Sequence, residues 1–283
     1  TRKQKPTQEN QYGMVSHGIK NKNTMIQAEV RNMGVPVFTA EHTKGVCQIM
    51  FEISDEMTNS DGRMSIGSLA RQMQRITEIH FDQEAGLTGE ELLAKGMSWV
   101  ISWTNIELER LPTKGEKVIL RIWPGKNKVN LYSRIYAMYT EAGEPLMATS
   151  SLFLLMDQNT RTVAAQPEEM KIMNPVIIAG EPNLPKLQQK FPKEYRNQLL
   201  RTVSTEEIDY NGHLNNSRYL DWTEALMDED FYAEHKPKNI WVQYAKELRE
   251  GENAKLQYVW EEDVMYLRGV HNGENSFLVK MMF

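Results

Sequence analysis

The sequence of 283 residues has one cysteine, Cys47, which excludes an internal disulfide framework and is typical of a reducing compartment. It also lacks an apolar run near the ~18 residues that a membrane helix needs, since its most apolar stretch, SSLFLLM, is far shorter. The opening stretch, TRKQKPTQEN, is polar and has no apolar centre of a signal peptide. These absences predict no membrane span and a place in the cytoplasm or an organelle stroma.

An excess of positive charge and several common catalytic signatures are missing as well. Acidic residues outnumber basic ones, 38 to 33, and the net charge of −5 argues against a nucleic-acid binder. There is no Gly-x-Ser-x-Gly elbow of a serine hydrolase. The histidines are scattered, without His-x-x-x-His spacing or paired cysteines for a metal. We therefore expect a globular protein that uses neither a metal nor a cofactor.

Proline is concentrated in one part of the chain. Five of the eleven prolines lie between residues 167 and 192, where they remove backbone donors and disfavour helix. This stretch predicts a Pro-rich linker over residues 158–197, which separates a first subdomain, 45–157, from a second, 198–283. Residues 1–44 are polar and without periodicity, and we interpret them as an N-terminal extension.

The two predicted subdomains resemble each other. EMTNSDGRMSIGSLARQMQRITEIHF in the first matches EIDYNGHLNNSRYLDWTEALMDEDF in the second when Gly62 is aligned with Gly212. In both, an amphipathic helix is followed by aromatic-rich strands that reach a Gly-Glu turn. An antiparallel sheet wrapped around one central helix in each half satisfies this order. The sequence thus predicts a duplicated α+β fold, the double hot-dog.

The two copies differ in a polar cluster that only the second carries. Asp209, Asn211 and His213 alternate there, which puts their side chains on one side of an extended segment just before the helix. One interpretation is structural, with Asp209 and Asn211 in an Asx turn and His213 a satisfied boundary residue. The other is catalytic, because imidazole changes charge near neutral pH.

A carboxylate downstream, Glu247, is a second candidate. In VQYAKELREGE, a strand would place Gln243, Ala245 and Glu247 on one face. Glu247 then lies among apolar neighbours on a segment suited to packing. The alternative is a solvated charge beside Lys246 and Arg249.

The run DYNGHLNNSRYLDW followed by YAKELREGE resembles the acyl-acyl-carrier-protein (acyl-ACP) thioesterases of plants and bacteria. Their pattern is Asp-x-Asn-x-His-x-Asn-Asn-x-x-Tyr at the start of the second hot-dog helix, followed by Tyr-x-x-Glu. WVISWTNIELERLPTKGEKV and SSLFLLMDQNTRTVAAQP are similar to further segments of the family, so the resemblance covers roughly residues 45–283. Plant members often have a cysteine after the Glu. Here that position is Leu248, so a thiol nucleophile there is excluded.

The resemblance implies that Asn211, His213 and Glu247 are catalytic and that Asp209 supports them. We expect His213 to activate water with help from Glu247, and Asp209 to fix the imidazole tautomer. Asn211 would hold the water or the carbonyl. Free N–H groups from Asn215, Asn216 and Ser217 at the helix start would bind substrate and stabilise the oxyanion.

The remaining predicted contacts concern the acyl chain and its carrier. Candidates for lining an acyl slot are Met64, Ile66, Leu69, Met73, Trp99 and Trp103, although such stripes are more often ordinary core. Candidates for contact with an acidic acyl carrier protein are Arg218, Lys236, Lys238, Lys246 and Arg249, with solvated surface charge as the alternative.

The resemblance thus predicts hydrolysis of fatty acyl-ACP, which ends fatty acid synthesis, by a monomer or homodimer in a bacterial cytoplasm or plastid stroma. One alternative is an acyl-CoA thioesterase of the same fold, and another is a non-catalytic acyl-binding sensor. A hot-dog hydratase is disfavoured because its Asp-x-Asn-Pro-x-His pattern requires a proline that this cluster lacks.

Overall fold

The computed structural model describes residues 40–43, 45–126, 128, 130–171, 175–176 and 189–283. Most of the predicted N-terminal extension and the middle of the predicted linker lie outside the described residues. No helix in the described ranges is both long and apolar enough to cross a membrane.

Within the described part of the chain, eleven strands form one sheet, and every pairing is antiparallel. The strands are β1 (Ala40–Thr43), β2 (Val46–Glu52), β3 (Met97–Leu108), β4 (Lys117–Pro124), β5 (Tyr132–Thr140), β6 (Pro145–Asp157), β7 (Asn197–Thr202), β8 (Asn239–Tyr244), β9 (Asn253–Glu261), β10 (Val264–His271) and β11 (Glu274–Met282). The helices are α1 (Ile66–Glu84), α2 (Gly89–Ala94), α3 (Arg218–Glu224) and α4 (Glu229–Glu234).

The order of strands repeats on the two sides of the sheet. Across the sheet it is β1-β2-β4-β5-β6-β3-β8-β11-β10-β9-β7, so β3 and β8 pair at the centre and matching strands follow outwards from them. Short 3-10 turns, Asp55–Met57 and Thr205–Glu207, precede α1 and α3. This arrangement is the predicted α+β double hot-dog.

The core of the first half, residues 45–157, includes α1, which packs against β2 and β4 of the sheet. Ile66, Leu69 and Ile76 recur at helical spacing and are fully buried, and Met73 is nearly so. Each fully buried aliphatic side chain contributes about 1.5–3 kcal/mol. The second half has a shorter helix, since α3 spans seven residues against the nineteen of α1.

Polar contacts between α1 and α3 join the halves below the sheet. Arg71 pairs with Asp221 at 2.7 Å, and the Glu224 carboxylate accepts hydrogen bonds from the backbone N–H groups of Ile66 and Gly67 at 3.0 and 3.1 Å. A Cβ atom on Gly67 would lie 1.6 Å from Asp221 Oδ1. Any larger residue at position 67 would therefore displace the Asp221 side chain where the two helices approach.

Candidate active site

The polar cluster forms a tight turn before α3. Asp209 Oδ1 accepts hydrogen bonds from the backbone N–H groups of Asn211 at 2.8 Å and His213 at 3.3 Å, and Asp209 N donates to the His213 carbonyl at 2.8 Å. Gly212 has a φ of 77°, a left-handed conformation that glycine adopts without strain. The Asx turn of the structural interpretation is present, and it fixes the backbone from which His213 projects.

Asp209 does not have the role that the sequence predicted for it. Among the described residues, no hydrogen bond joins its carboxylate to the His213 ring, because the carboxylate binds the backbone of its own turn. Asp209 therefore contacts the backbone of His213 and not its ring.

Glu247 lies in a loop, and the prediction that it belongs to a strand is wrong. Strand β8 ends at Tyr244, after which the N–H groups of Ala245 and Lys246 both donate to the Ser276 carbonyl, at 2.8 and 3.0 Å. Because one carbonyl accepts both hydrogen bonds, the regular pairing of β8 with β11 is interrupted here. The fully buried Leu248 then anchors the loop, and its carbonyl accepts from Leu214 N at 2.7 Å.

The two loops bring His213 and Glu247 together. His213 Nε2 lies 3.1 Å from Glu247 Oε2, with the imidazole side chain 15% exposed and the carboxylate side chain 33% exposed. In a neutral ring, an Nε2–H that donates to this carboxylate leaves Nδ1 as the hydrogen-bond acceptor. The carboxylate that contacts the imidazole is thus Glu247, and not Asp209 as predicted from the sequence.

A cavity of about 480 Å³ opens beside this pair. Its polar wall includes Asp209, Asn211, His213, Asn216 and Glu247. Its apolar and aromatic lining comes from both halves of the chain, and consists of Trp99, Val100, Ile101, Met156, Leu214, Tyr219 and Tyr244. A polar pair beside an apolar wall is the arrangement expected for a ligand with a long apolar part and one reactive polar group.

Among the predicted acyl-slot residues, Trp99 lines this cavity. It stacks on Phe81 with ring centroids 4.3 Å apart and meets Tyr132 edge-on at 4.9 Å, which connects the cavity to an apolar cluster. The other five candidates do not line the cavity and are buried in the core; they are Met64, Ile66, Leu69, Met73 and Trp103. For them, ordinary core packing is the interpretation that the structure supports.

At the start of α3, two of the three N–H groups predicted to bind an oxyanion already have acceptors. Asn215 Oδ1 accepts from Ser217 N at 2.9 Å and from Ser217 Oγ at 2.8 Å, while Asn215 N donates to the Glu207 carbonyl at 2.9 Å. The next N–H, of Arg218, donates to the Asn215 carbonyl at 2.9 Å. The N–H groups of Asn215 and Ser217 are thus already bonded, and of this trio only Asn216 lines the cavity.

The five predicted carrier-contact residues do not form one patch. Lys246 and Arg249 line the cavity, and Lys246 pairs with Glu274. Arg218 pairs with Asp221 at 3.0 Å. Lys236 and Lys238 precede β8, whereas Lys246 and Arg249 follow it. At the rise of an extended strand, the six residues of β8 separate these two pairs by about 20 Å. The strand separates residues that are close in sequence.

Sequence reasoning missed several residues of the cavity. Arg161 follows β6 and pairs with Glu247 Oε2, the oxygen that also contacts His213. Tyr219 lies in the cavity wall, where burial and then the charge of Glu247 raise its pKa, so the phenol stays protonated. Glu252 and His271 also line the cavity. The Thr-Arg signal after β6 was visible in the sequence, but no local pattern connects it to Glu247.

The only cysteine of the sequence lies outside the cavity lining. Cys47 is fully buried in β2, and this burial raises the pKa of its thiol to about 11. A thiol in such surroundings is a poor nucleophile.

The sheet order defines a double hot-dog protein, and an imidazole–carboxylate pair lies in a cavity lined by both of its halves. The family model for the acyl-ACP thioesterase N-terminal domain matches residues 44–173, and that for the C-terminal domain matches residues 190–279. The chain belongs to the acyl-ACP thioesterase family.

Individual relatives agree with this assignment. The chloroplastic palmitoyl-acyl carrier protein thioesterase of Gossypium hirsutum is 27% identical over 222 residues, which are 73% of this chain and 52% of that protein. The chain spans about half the length of the curated relatives it matches.

Solved structures show the same fold. The 12:0-ACP thioesterase from Umbellularia californica has a TM-score of 0.74 at 22% identity, over 86% of this chain and 98% of that one. An acyl-ACP thioesterase from Bacteroides thetaiotaomicron has a TM-score of 0.72 at 20% identity, over 84% of this chain and 98% of that one.

Proposed function

We propose that this protein hydrolyses fatty acyl-ACP to a free fatty acid and the carrier protein. The observation that carries the proposal is the 3.1 Å contact between His213 Nε2 and Glu247 Oε2 in the wall of a cavity of about 480 Å³. The membership of the family supports the choice of a thioester as the bond that is cleaved.

In the proposed reaction, water adds to the thioester carbonyl carbon while His213 Nδ1 takes its proton. The resulting imidazolium is stabilised by the Glu247 carboxylate at Nε2. The C–S bond then breaks, and the departing thiolate takes the proton from the imidazolium, which regenerates the neutral ring. General-base assistance of this kind typically accelerates a reaction by about 10²–10⁴-fold.

The oxyanion of the tetrahedral intermediate needs a donor, and the cavity offers side-chain amides. Asn211 and Asn216 both line it, whereas the N–H groups of Asn215 and Ser217 are bonded within the turn. We assign Asn211 to the attacking water or the carbonyl, and Asn216 to the oxyanion. One donor of this kind contributes about 3 kcal/mol in known cases.

The proposed carrier contact consists of Lys246 and Arg249, the two predicted cations that line the cavity. Charge complementarity there would guide an acidic carrier protein to the site. The Gossypium relative is named a chloroplastic palmitoyl-acyl carrier protein thioesterase, while one similar structure is bacterial. The proposal accordingly places the activity in a plastid stroma or a bacterial cytoplasm.

The test is a hydrolysis assay on saturated acyl chains of increasing length, each attached either to acyl carrier protein or to coenzyme A. The purified protein is expected to release free thiol faster from the carrier protein series. His213→Ala and Glu247→Ala should each lower kcat by about 10²-fold or more. Glu262→Gln, in an exposed turn between β9 and β10, is the matched control and should retain full activity.

Two outcomes would contradict the proposal in different ways. A preference for coenzyme A thioesters would overturn the carrier and leave the thioesterase activity in place. Absence of hydrolysis in both series, or near-normal turnover in both alanine variants, would overturn the catalytic assignment and favour an acyl-binding protein.

A further inference from the structure

Arg161 occupies a backbone position that ordinarily favours glycine. It lies in the turn after β6, where Arg161 N donates to the Asp157 carbonyl at 2.9 Å and Asp157 N donates to the Thr162 carbonyl at 2.9 Å. Its φ is 57°, in the left-handed region. A side chain with a Cβ is strained in this region, which glycine and asparagine tolerate best. The local conformation therefore does not explain an arginine at this position.

Its side chain extends from the first half of the molecule to the candidate catalytic carboxylate of the second. Arg161 Nη2 donates to Glu247 Oε2, the same oxygen that lies 3.1 Å from His213 Nε2. Arg161 Nη1 donates to Gln158 Oε1 at 3.2 Å, and Gln158 Nε2 donates to Ser98 Oγ at the start of β3. A chain of hydrogen bonds thus ties the carboxylate to the first half.

Stability does not explain the ion pair either. The Arg161 side chain is 45% exposed and that of Glu247 is 33% exposed. Ion pairs at such positions typically stabilise a protein little, because water already solvates both charges. The strained backbone together with the weakly stabilising pair indicates a requirement other than stability.

We propose that Arg161 is a positioning residue, which holds the Glu247 carboxylate against His213 so that the first half completes the active site of the second. This inference rests on the proposed thioester hydrolysis. Glu247 lies in a loop and would otherwise sample several rotamers. A guanidinium stays charged at all relevant pH values and presents its donors in a rigid plane, which suits it to fixing a carboxylate.

The test combines three variants with two measurements. Arg161→Gly removes the side chain and relieves the backbone strain, so the Tm should be unchanged or higher. Its kcat should fall by about 10–100-fold, the scale of loss when a catalytic group is misplaced. KM should change by less than about threefold, because Arg161, although it lines the cavity, acts in this proposal on the Glu247 carboxylate and not on the bound substrate. Arg161→Lys should retain more of kcat than Arg161→Met, since it keeps a charge for Glu247.

A double-mutant cycle distinguishes action through Glu247 from any other role. In a Glu247→Ala background, Arg161→Met should change kcat by less than about twofold, because the group it positions is gone. If the activity of that background is too low to measure, the ¹⁵N shift of His213 Nε2 replaces it. Arg161→Met should move that shift towards its value in Glu247→Ala.

The matched control is Glu262→Gly, which replaces another residue of positive φ, 51°, in an exposed turn. It should relieve strain in the same way and leave kcat unchanged. Additive effects in the cycle, an unmoved nitrogen shift, or full kcat in Arg161→Gly would overturn the inference while hydrolysis by the wild type still stands. An inactive wild type would overturn both this inference and the proposed function.

Discussion

The turn that carries His213 has a counterpart in the first half, at Arg63, with nearly the same backbone. Asn59 N donates to the Arg63 carbonyl at 2.8 Å, as Asp209 N does to that of His213 at 2.8 Å. The glycine directly before each of these residues, Gly62 or Gly212, has a φ of 76° in the first turn and 77° in the second. Duplicated sequence has therefore produced one backbone twice, including its left-handed glycine.

The next hydrogen bond also repeats. Met64 N donates to the Pro112 carbonyl at 2.8 Å, and Leu214 N donates to the Leu248 carbonyl at 2.7 Å. This correspondence aligns Pro112 with Leu248, and so places Leu111 where the second half has Glu247. At the position equivalent to Glu247, the first half therefore has an apolar side chain in place of the carboxylate that would contact an imidazole.

Side chains then make the two turns chemically different. Arg63 pairs with Asp61, donates to the Tyr232 carbonyl and lies over the Tyr232 ring at 5.1 Å. The cavity beside it measures about 130 Å³, against about 480 Å³ beside His213. The two turns therefore share a backbone and differ in their side chains, and the proposed catalytic pair lies only beside the second turn.

The largest expected effect comes from making the second turn like the first. His213→Arg should fold normally, since an arginine already occupies the equivalent turn. It should lower kcat for acyl-ACP by about 10²–10⁴-fold, because it removes the base. Steady-state hydrolysis and a thermal melt measure the two effects. More than a tenth of wild-type activity, as a rough threshold on this scale, would break the comparison.

A substitution in the equivalent turn of the first half is its control. Arg63→Gln removes a largely buried cation from its partners and should destabilise the fold by about 1–3 kcal/mol, with kcat unchanged.

A second prediction separates the core of the first half from the cavity wall. Leu69→Ala should cost about 2–5 kcal/mol in unfolding free energy, since Leu69 is fully buried against the sheet. It should not change the preferred acyl chain length. Ile101→Trp, in the cavity wall, should instead shorten the preferred chain with little loss of stability. A shift of chain length in Leu69→Ala would show that the α1 core also forms the acyl slot.

A third prediction concerns the contact that holds the halves together. Gly67→Ala should cost about 1–3 kcal/mol, because the new Cβ displaces Asp221, which Arg71 and Arg218 hold in place at 2.7 and 3.0 Å. Urea unfolding measures this cost. Gly89→Ala, at the open start of α2, is the matched control and should stabilise by about 0.5–1 kcal/mol. Equal effects at both positions would contradict the close approach of the helices.

The smallest expected effect is that of blocking Cys47. Its thiol is fully buried with a pKa of about 11, so at pH 8 alkylation of the native protein should be slow and hydrolysis unaffected. An unfolded thiol has a pKa near ~8.5, so the folded state binds more protons between the two values. The contribution of this group to stability therefore falls as pH rises from about 8.5 towards 11. Rapid alkylation of the native protein with loss of activity would contradict the expectation that this thiol is buried and unreactive.

Much of the fold followed from local sequence. The apolar stripe of α1, the alternation in the strands and the repeated glycine turn each depend on neighbours within a few residues. The sequence wrongly placed Glu247 on a strand. It lies in a loop because β8 ends after Tyr244, where the backbone contacts Ser276 on another strand. The pattern also did not show that Ser217 N, one of the predicted oxyanion donors, would donate to the Asn215 side chain.

By itself, the sequence of this protein determined that there are two similar halves and that the second carries the histidine turn. It also determined that the residue after Glu247 is a leucine and not a cysteine. These properties depend on residue identity and short-range backbone preferences. Only the tertiary structure decided that His213 and Arg161 both contact one oxygen of Glu247. It also decided that Ser217 N, at the start of α3, already donates to the Asn215 side chain. The physical reason is that such contacts depend on how three loops are placed by the register of an extended sheet, which no single segment encodes.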